Sequence, residues 1–338
     1  MKNILVTGGC GFIGSHTVVR LIEKGYQPVI IDNLDNSNEL VLDRIETICG
    51  KKPEFIKADI RDSSALSALF EKYEFDSVIH FAGLKAVGES VEKPMRYYSN
   101  NVEGTIALLK TMDKYNCRKL VFSSSSTVYG DPKSVPIYEN FDLSATNPYG
   151  QSKLIIETIL RDLAYANSDW VFTLLRYFNP VGAHESGLIG EDPNGIPNNL
   201  LPYIAQVAVG RLDCLNVWGN DYDTPDGTGV RDYIHVVDLA EAHINAVEHF
   251  KRDQGCLAYN IGTGEGYSVL EMVKAFEDAS GKSIPYSIEA RRPGDIATSF
   301  ANCDLSQQEI GWVAKRGLAD IMRDQWNWQK NNPNGYSE

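Results

Sequence analysis

The sequence predicts an α/β fold, in which a doubly wound parallel sheet is followed by a smaller C-terminal α/β region. In the first half of the chain, short β-branched runs alternate with longer amphipathic stretches. This alternation builds a parallel sheet with helices on both faces. A glycine-rich turn follows the first run, and beyond about residue 180 the chain changes to long loops rich in glycine, proline and asparagine.

Each predicted element follows from its local pattern. The predicted strands are short apolar runs, at Ile4–Thr7, Val29–Asp32, Glu54–Lys57, Ser77–Ala82, Leu120–Ser124, Val171–Arg176 and, later, Ala258–Ile261. The predicted helices have apolar residues at helical spacing, at Ile13–Lys24, Ser63–Tyr73, Tyr97–Tyr115, Tyr149–Tyr165, Leu200–Val209 and Val237–Phe250. Because the carboxyl ends of parallel strands share one edge, the polar residues after each run are expected to cluster there.

Length and charge limit the possible classes of protein. A chain of 338 residues predicts two domains, 1–180 and 181–338, with some later segments returning to the first. A net charge of −13 argues against a nucleic-acid or anionic-membrane binder. No run approaches a membrane span or a signal peptide. Six scattered cysteines predict reduced thiols, with neither disulfides nor zinc, and hence a cytoplasmic protein.

The glycine turn and an acidic residue indicate a dinucleotide site. Gly8, Gly11 and Gly14 lie between the first strand and its helix, where backbone N–H groups can approach a pyrophosphate, as in a Rossmann-like domain. Asp32 closes the second strand, where a carboxylate binds ribose hydroxyls and repels a 2′-phosphate, so NAD is favoured over NADP. Asp59–Ile60 and Phe81–Lys85 follow the next two strands, and position alone leaves cofactor contact and a structural role equally open for them.

A tyrosine and a lysine supply the candidate reacting group. Tyr149 and Lys153 are at i and i+4, so they share one face of the predicted helix. A nearby ammonium and a positively charged nicotinamide favour the phenolate, which makes Tyr149 a usable general base. The fifth strand ends in four serines, 123–126, one of which could share the substrate oxygen with Tyr149. Their pattern does not say which one does.

Together these motifs resemble the extended short-chain dehydrogenase/reductase superfamily. Longer strings, at His80–Ser90, Arg176–Ala183, Gly195–Asn199 and Gly227–His235, resemble its UDP-sugar 4-epimerases over essentially the whole chain. The resemblance implies reversible epimerisation at C4 of a UDP-sugar, through a transient 4-keto sugar, with NAD as the bound cofactor and no metal. It also implies a homodimer.

The resemblance further implies individual site residues. The implied catalytic residues are Ser125, Tyr149 and Lys153. The implied cofactor contacts, besides these three, are Gly8, Gly11, Phe12, Ile13, Gly14, Asp32, Asn33, Asn36, Ser37, Asp59, Ile60, Phe81, Ala82, Gly83, Lys85, Asn100 and Phe178. The implied UDP-sugar contacts, besides Lys85, Ser125 and Tyr149, are Asn179, Asn199, Leu200, Asn216, Val217, Trp218, Arg231, Tyr233, Arg292, Asp295 and Ser299.

Two alternatives share the scaffold. A nucleotide-sugar 4,6-dehydratase needs an acidic pair after the strand-end serine, and Ser126 and Thr127 stand there instead. A non-catalytic NAD-sensing protein has no use for the ordered set Tyr149, Lys153 and Ser125.

Ser299 marks a departure within the family. It stands where the sugar-narrow members carry a tyrosine, so we expect acceptance of UDP-GlcNAc and UDP-GalNAc as well, unless other side chains fill the gap or the loop shifts.

Overall fold

The structure, a computed structural model, describes residues 2–193, 195–251, 255–292 and 295–337. The strands are β1 (Asn3–Thr7), β2 (Gln27–Asp32), β3 (Glu54–Lys57), β4 (Phe75–His80), β5 (Lys119–Ser125), β6 (Val171–Tyr177), β7 (Asn179–Val181), β8 (Leu215–Trp218), β9 (Val230–Arg231), β10 (Tyr233–His235), β11 (Cys256–Ile261), β12 (Tyr267–Ser268), β13 (Tyr286–Glu289) and β14 (Thr298–Ser299). The helices are α1 (Phe12–Glu23), α2 (Val41–Cys49), α3 (Ser63–Lys72), α4 (Val87–Glu92), α5 (Pro94–Tyr97), α6 (Gly104–Lys114), α7 (Pro148–Ala166), α8 (Leu200–Ala208), α9 (Val236–Glu248), α10 (Val269–Ser280), α11 (Asp304–Ile310) and α12 (Leu318–Asn331).

Seven strands form one central sheet in the order β11-β6-β5-β4-β1-β2-β3. Every neighbouring pair in it is parallel. The order of the strands reverses at β1, so the chain winds outward in both directions from that strand. The predicted doubly wound parallel sheet is therefore confirmed, and the crevice between the carboxyl ends of β1 and β4 is where ligands of such sheets bind.

Two apolar layers cover the sheet. One core lies under α1, α2 and α9, where Val18, Ile45 and Leu239 are buried. The other lies under α3, α6 and α7, where Leu66 and Leu108 are buried. Both faces are covered, which explains why the strands read as continuous apolar runs without alternation.

A third core lies under α8, α10 and α12 and includes Ile204, Met272, Phe276 and Met322. Short two- and three-stranded sheets lie beside it, β10-β7, β12-β9-β14 and β13-β8. The chain then returns to the central sheet, because β11 pairs with β6 along its full length. The division into 1–180 and 181–338 stays a prediction.

The predicted helix Tyr97–Tyr115 is interrupted, because residues Tyr98–Glu103 form a π-helical turn between α5 and α6. The prediction took the whole stretch as one continuous helix and did not include this turn, because π-helical turns are rare and occur mostly as single turns inside α-helices. Helix α2 was not predicted, because it is short and follows the polar loop 33–38. The fourth strand ends at His80, two residues before its predicted end at Ala82.

Candidate active site

The glycine turn after β1 is a close backbone crossing. Gly8 has φ +69°, and a Cβ atom there would lie 2.7 Å from the Ala82 backbone nitrogen, so only glycine fits. A Cβ at Gly14 would lie 2.3 Å from the Gly8 carbonyl oxygen. Gly11 precedes α1, whose first residues are Phe12 and Ile13, and no side chain caps this helix. Its first N–H groups can therefore bind an anion such as a pyrophosphate.

Asp32 at the end of β2 connects this turn to the next loop. Its side chain is 8% exposed. It accepts hydrogen bonds from the Cys10 and Leu34 backbone N–H groups at 3.0 and 2.9 Å, and from Ser37 Oγ at 2.9 Å. Asn36 lies exposed on the same loop. This geometry places a carboxylate where an adenosine ribose would bind beside the turn.

The loop after β3 lies next to Asp32. Asn33 donates to Asp59 Oδ2 at 3.1 Å, and Arg61 pairs with the same carboxylate at 2.8 Å. The hydrogen bond from Arg61 holds the pKa of Asp59 well below its usual range. Ile60 is 5% exposed and packs under α6, against the position of Gly104. Asp59 thus faces the loop after β2, whereas the side chain of Ile60 belongs to the core.

A chain of hydrogen bonds with fixed direction runs beneath the loop Phe81–Lys85. The Ala82 N–H donates to Thr7 Oγ1, which lies 2.7 Å from His80 Nδ1. His80 Nε2 lies 2.9 Å from Thr105 Oγ1, whose proton goes to the Asn101 carbonyl oxygen. Thr105 can therefore only accept from His80, and Thr7 can only donate to it. Burial lowers the pKa of His80 to about 3, so the ring is neutral with its proton on Nε2.

The π-helical turn connects this loop to α7. Asn101 accepts from the Leu84 N–H at 2.8 Å and donates to Ser152 Oγ at 3.0 Å. Ser152 in turn donates to the Tyr149 carbonyl oxygen at 2.7 Å. Asn100 lies in the same turn, half-buried. Sequence reasoning proposed Asn100 and missed Asn101, and the widened turn that aims Asn101 at α7 has no signature in the hydrophobic pattern.

Tyr149 and Lys153 lie on α7 as predicted, and Ser125 ends β5. The Lys153 Nζ atom donates to the Ser123 carbonyl oxygen at 2.6 Å and lies 5.9 Å from the centre of the Tyr149 ring. Burial lowers the pKa of Lys153 to about 8. Burial raises the pKa of Tyr149, while a hydrogen bond with Ser125 and the charge of Lys85 lower it.

The four serines have different partners. Ser125 Oγ accepts from the Thr127 N–H at 3.2 Å and from Thr127 Oγ1 at 3.0 Å, so its own proton remains for Tyr149. Ser124 donates to Glu157 at 2.6 Å. The sequence left open which of the four serines acts together with Tyr149. The hydrogen-bond partners of Ser124 and Ser125 favour Ser125.

A buried carboxylate was missed by the sequence reasoning. Lys85 Nζ and Asn199 Nδ2 both donate to Glu191 Oε1 at 2.8 Å. Glu191 is 5% exposed, whereas the Lys85 side chain is half exposed. Partial desolvation lowers the pKa of Lys85, but the Glu191 carboxylate outweighs this effect and raises it. Leu200 follows Asn199 as the first residue of α8. The pair connects the loop after β4 to the C-terminal half of the chain across the predicted cleft.

Most of the remaining predicted substrate residues lie on the short sheets, whereas Arg292 and Asp295 lie in the segment between β13 and β14. Arg231 of β9 is the register partner of Ser299 of β14, and Ser299 is 9% exposed. Arg292 Nε donates to Asp295 at 3.0 Å, and its guanidinium lies 5.8 Å from the Trp218 ring centre. Pro293 and Gly294, in the string between those two residues, lie outside the described residues. The others lie on β7, β8 and β10, namely Asn179, Asn216, Val217 and Tyr233. Phe178, a predicted cofactor contact, lies between β6 and β7.

All six cysteines lie in the described part of the chain and are unpaired thiols. Within the described ranges, no group of three or more His, Cys, Asp or Glu residues could hold a metal ion. No helix among the same residues is long and apolar enough to cross a bilayer.

Comparison with known proteins shows which proteins this chain is similar to in sequence and structure. A family model described as GDP-mannose 4,6 dehydratase matches residues 5–325. A UDP-glucose 4-epimerase of Bacillus subtilis is 60% identical over 333 residues, 98% of this chain and 98% of that protein. The crystal structure of UDP-glucose 4-epimerase from Bifidobacterium longum in complex with NAD+ and UDP is 54% identical with a TM-score of 0.96, over 99% of this chain and 100% of that one. The UDP-Glc/GlcNAc 4-epimerase of Campylobacter jejuni is 33% identical with a TM-score of 0.84, over 98% and 100% of the two chains.

The fold and the site define an extended short-chain dehydrogenase/reductase. Within that class, the chain belongs to the UDP-glucose 4-epimerase family, which confirms the predicted family. Although the matching family model is described as a dehydratase, Ser126 and Thr127 carry no carboxylate beside Ser125. The dehydratase alternative is therefore not favoured.

Asp32 leads to a prediction about the cofactor. Asp32→Ala should weaken the preference for NAD over NADP, because the negative charge that repels a 2′-phosphate is removed. The measurement is the ratio of the two dissociation constants. Asp32→Asn is a second variant, which removes the charge but keeps one acceptor oxygen, either for Leu34 and Ser37 or for Cys10. Acid extraction of the wild-type protein should yield NAD, and recovery of mainly NADP would contradict the assignment.

Proposed function

We propose that this protein catalyses the reversible epimerisation at C4 of UDP-sugars and that it interconverts UDP-galactose and UDP-glucose with bound NAD. The observation that carries the proposal is the grouping of Tyr149, Ser125 and Lys153 at the carboxyl edge of the sheet, beside the glycine turn. The NAD+ and UDP bound in the Bifidobacterium longum relative support both ligand classes. The Bacillus subtilis relative supports the reaction.

Tyr149 is the proposed general base for the sugar 4-hydroxyl. NAD, when bound, accepts the hydride from C4 of the sugar and returns it to the opposite face. Ser125 donates to the phenolic oxygen, because both Thr127 groups already occupy its acceptor positions. Lys153, which donates to the Ser123 carbonyl oxygen, would hold the ribose next to the nicotinamide when NAD is bound. Burial raises the pKa of Tyr149, so its function as a base depends on the effects that oppose burial, which are the Ser125 hydrogen bond, the Lys85 charge and, when NAD is bound, the charge of the nicotinamide.

The proposed site binds the UDP part of the substrate tightly and the sugar part loosely. Arg231 and Arg292 are proposed to bind the diphosphate, for which two guanidinium forks are well suited. β8, with Asn216, Val217 and Trp218, is proposed to hold the uridine end. A tightly held UDP and a loosely held sugar allow the keto sugar to turn its other face between the two hydride transfers.

Ser299 supports acceptance of 2-acetamido sugars. Its hydroxymethyl group is buried beside Arg231, and a phenol ring at this position would fill space that an N-acetyl group needs. The Campylobacter jejuni relative, named a UDP-Glc/GlcNAc 4-epimerase, shows that this family includes members that accept both sugar types. We therefore propose that the protein also interconverts UDP-GlcNAc and UDP-GalNAc.

A homodimer in the cytoplasm completes the proposal. Val91 of α4 and Met95 of α5 are 63% and 74% exposed, and we propose that these two apolar side chains lie in the contact between the subunits. The six free thiols are consistent with a reducing compartment.

Tyr149→Phe tests the base. Turnover of UDP-galactose should fall by about 10²- to 10⁴-fold, because only the proton-transfer group is lost. Bound NAD and the affinity for UDP should remain. Tyr165→Phe, on the same helix and 96% exposed, is the matched control and should react like the wild type. Lys153→Ala should lose NAD during purification as well as activity. A decrease below about tenfold for Tyr149→Phe would remove this residue from the mechanism.

Ser299→Tyr tests the sugar specificity. The variant should lose turnover of UDP-GalNAc and keep turnover of UDP-galactose, since the ring occupies only the space needed by the N-acetyl group. Ser299→Ala is the control and should keep both activities. If the wild-type protein converts UDP-galactose but not UDP-GalNAc, the role of Ser299 is wrong and the 4-epimerase proposal stands.

Mass measurement by light scattering tests the dimer. The wild-type protein should show twice the mass of one chain, and Met95→Glu should shift it toward one chain mass, because a charge then lies in the apolar contact. Val313→Glu is the control at an exposed apolar residue, 48% exposed and distant in sequence. A wild-type protein of single-chain mass at micromolar concentration would overturn the homodimer.

A further inference from the structure

A buried ion pair lies directly behind the proposed reacting group. Glu157 of α7 and Arg176 of β6 are 0% and 1% exposed. Arg176 donates Nε to Glu157 Oε1 at 2.9 Å and Nη2 to Oε2 at 2.6 Å, so the pair is bidentate. A charged pair removed from water persists only when its hydrogen bonds are well satisfied, and this one has further partners on both sides.

Glu157 continues the helix face that carries the reacting group. Residues 149, 153 and 157 follow each other at i+4 on α7, so their side chains form one row. Two members of this row bind adjacent residues of β5. Lys153 donates to the Ser123 carbonyl oxygen, and Glu157 Oε1 accepts from Ser124 Oγ at 2.6 Å. The next residue of the strand is Ser125, so these two bonds fix its distance from the row.

Arg176 secures Glu157 from the other side. Its Nη1 atom donates to Tyr129 Oη at 2.9 Å and to the Glu139 carbonyl oxygen at 3.1 Å. Tyr129 donates onward to Asn260 Oδ1 at 2.6 Å. The carboxylate is therefore held by side chains from α7, β5 and β6, and it has little freedom to move away from Ser124.

Few charged side chains lie near the Lys153 ammonium. His80 from β4 is neutral, Tyr149 shares its helix, and the Phe122 ring of β5 lies 4.9 Å from Nζ. Glu157 is the carboxylate that acts on it, and Arg161 and Arg176 lie on the far side of that carboxylate. Burial lowers the pKa of Lys153 and the Glu157 charge opposes this effect.

We propose that Glu157 is a positioning residue for the epimerisation, which sets the separation between the Ser125 end of β5 and the Tyr149–Lys153 row of α7. The inference rests on the proposed function and deepens it. A second consequence follows from the charge. Without the carboxylate, Lys153 loses its proton at a lower pH. The decrease of kcat on the alkaline side of its pH profile therefore begins at a lower pH.

Glu157→Gln is the central test, made on the NAD-loaded protein. The kcat for UDP-galactose should fall by about tenfold to a hundredfold, because displacement of reacting groups by up to about 1 Å has effects of this order. The KM should change little, because the residues proposed to bind UDP are untouched. The alkaline fall of kcat should begin at a lower pH than in the wild type. A merely structural role would reduce the amount of active protein equally at every pH.

Two further variants separate geometry from charge. Glu157→Asp keeps the charge but shortens the reach to Ser124, so kcat should fall while the alkaline limb stays near that of the wild type. Ser124→Ala removes one hydrogen bond, leaves the ion pair intact, and should also lower kcat. Its matched control is Ser306→Ala, another buried serine, which bonds the Cys303 carbonyl in α11 and should react like the wild type.

The outcomes are distinct. A wild-type protein that does not epimerise UDP-galactose overturns the proposed function. An active wild type together with a Glu157→Gln variant of unchanged kcat and unchanged alkaline limb overturns the positioning role. If Glu157→Gln does not fold, Ser124→Ala decides, and a kcat equal to that of Ser306→Ala overturns the role.

Discussion

The candidate cofactor and catalytic groups in this molecule depend on one constraint, the parallel direction of the seven central strands. Parallel neighbours place all their carboxyl ends at one edge, and the helices that connect them begin there. The glycine turn, Asp32, the loop after β4 and the serine end of β5 come from segments far apart in sequence, and they meet because of this rule. The two buried apolar layers, under α1 and α9 and under α6 and α7, keep the edge rigid.

Most of this arrangement could be predicted from local patterns. The strand runs and the helix that follows Tyr149 were recognisable because burial on both faces produces continuous apolar runs, and amphipathic periodicity marks the helices. The spacing of Tyr149 and Lys153 was sufficient to place them on one face. The family resemblance supplied the residues of the C-terminal half, where short strands and long loops have little periodicity.

What sequence reasoning missed was determined by contacts between distant segments. Glu191 received no attention, because only the folded chain brings it to Lys85 and Asn199. Asn101 depends on a π-helical turn, which the predicted continuous helix Tyr97–Tyr115 did not include. The serines 123–126 at and after the end of β5 cannot be told apart by residue type, and Ser124 and Ser125 are distinguished by their hydrogen-bond partners. Glu157 did have a local signal, its position one helical turn after Lys153, but that signal gains meaning only when Arg176 is known to face it.

The direction of the hydrogen bonds through Thr7, His80 and Thr105 determines which groups of the site can take up or release protons. Each link in that chain has one donor and one acceptor, and the ring between them stays uncharged throughout the neutral range. The layer beneath the loop Phe81–Lys85 therefore neither takes up nor releases a proton as the pH changes. The charge of this layer is therefore constant, and the groups of the site that exchange protons are the Tyr149 phenol and the Lys153 ammonium on α7.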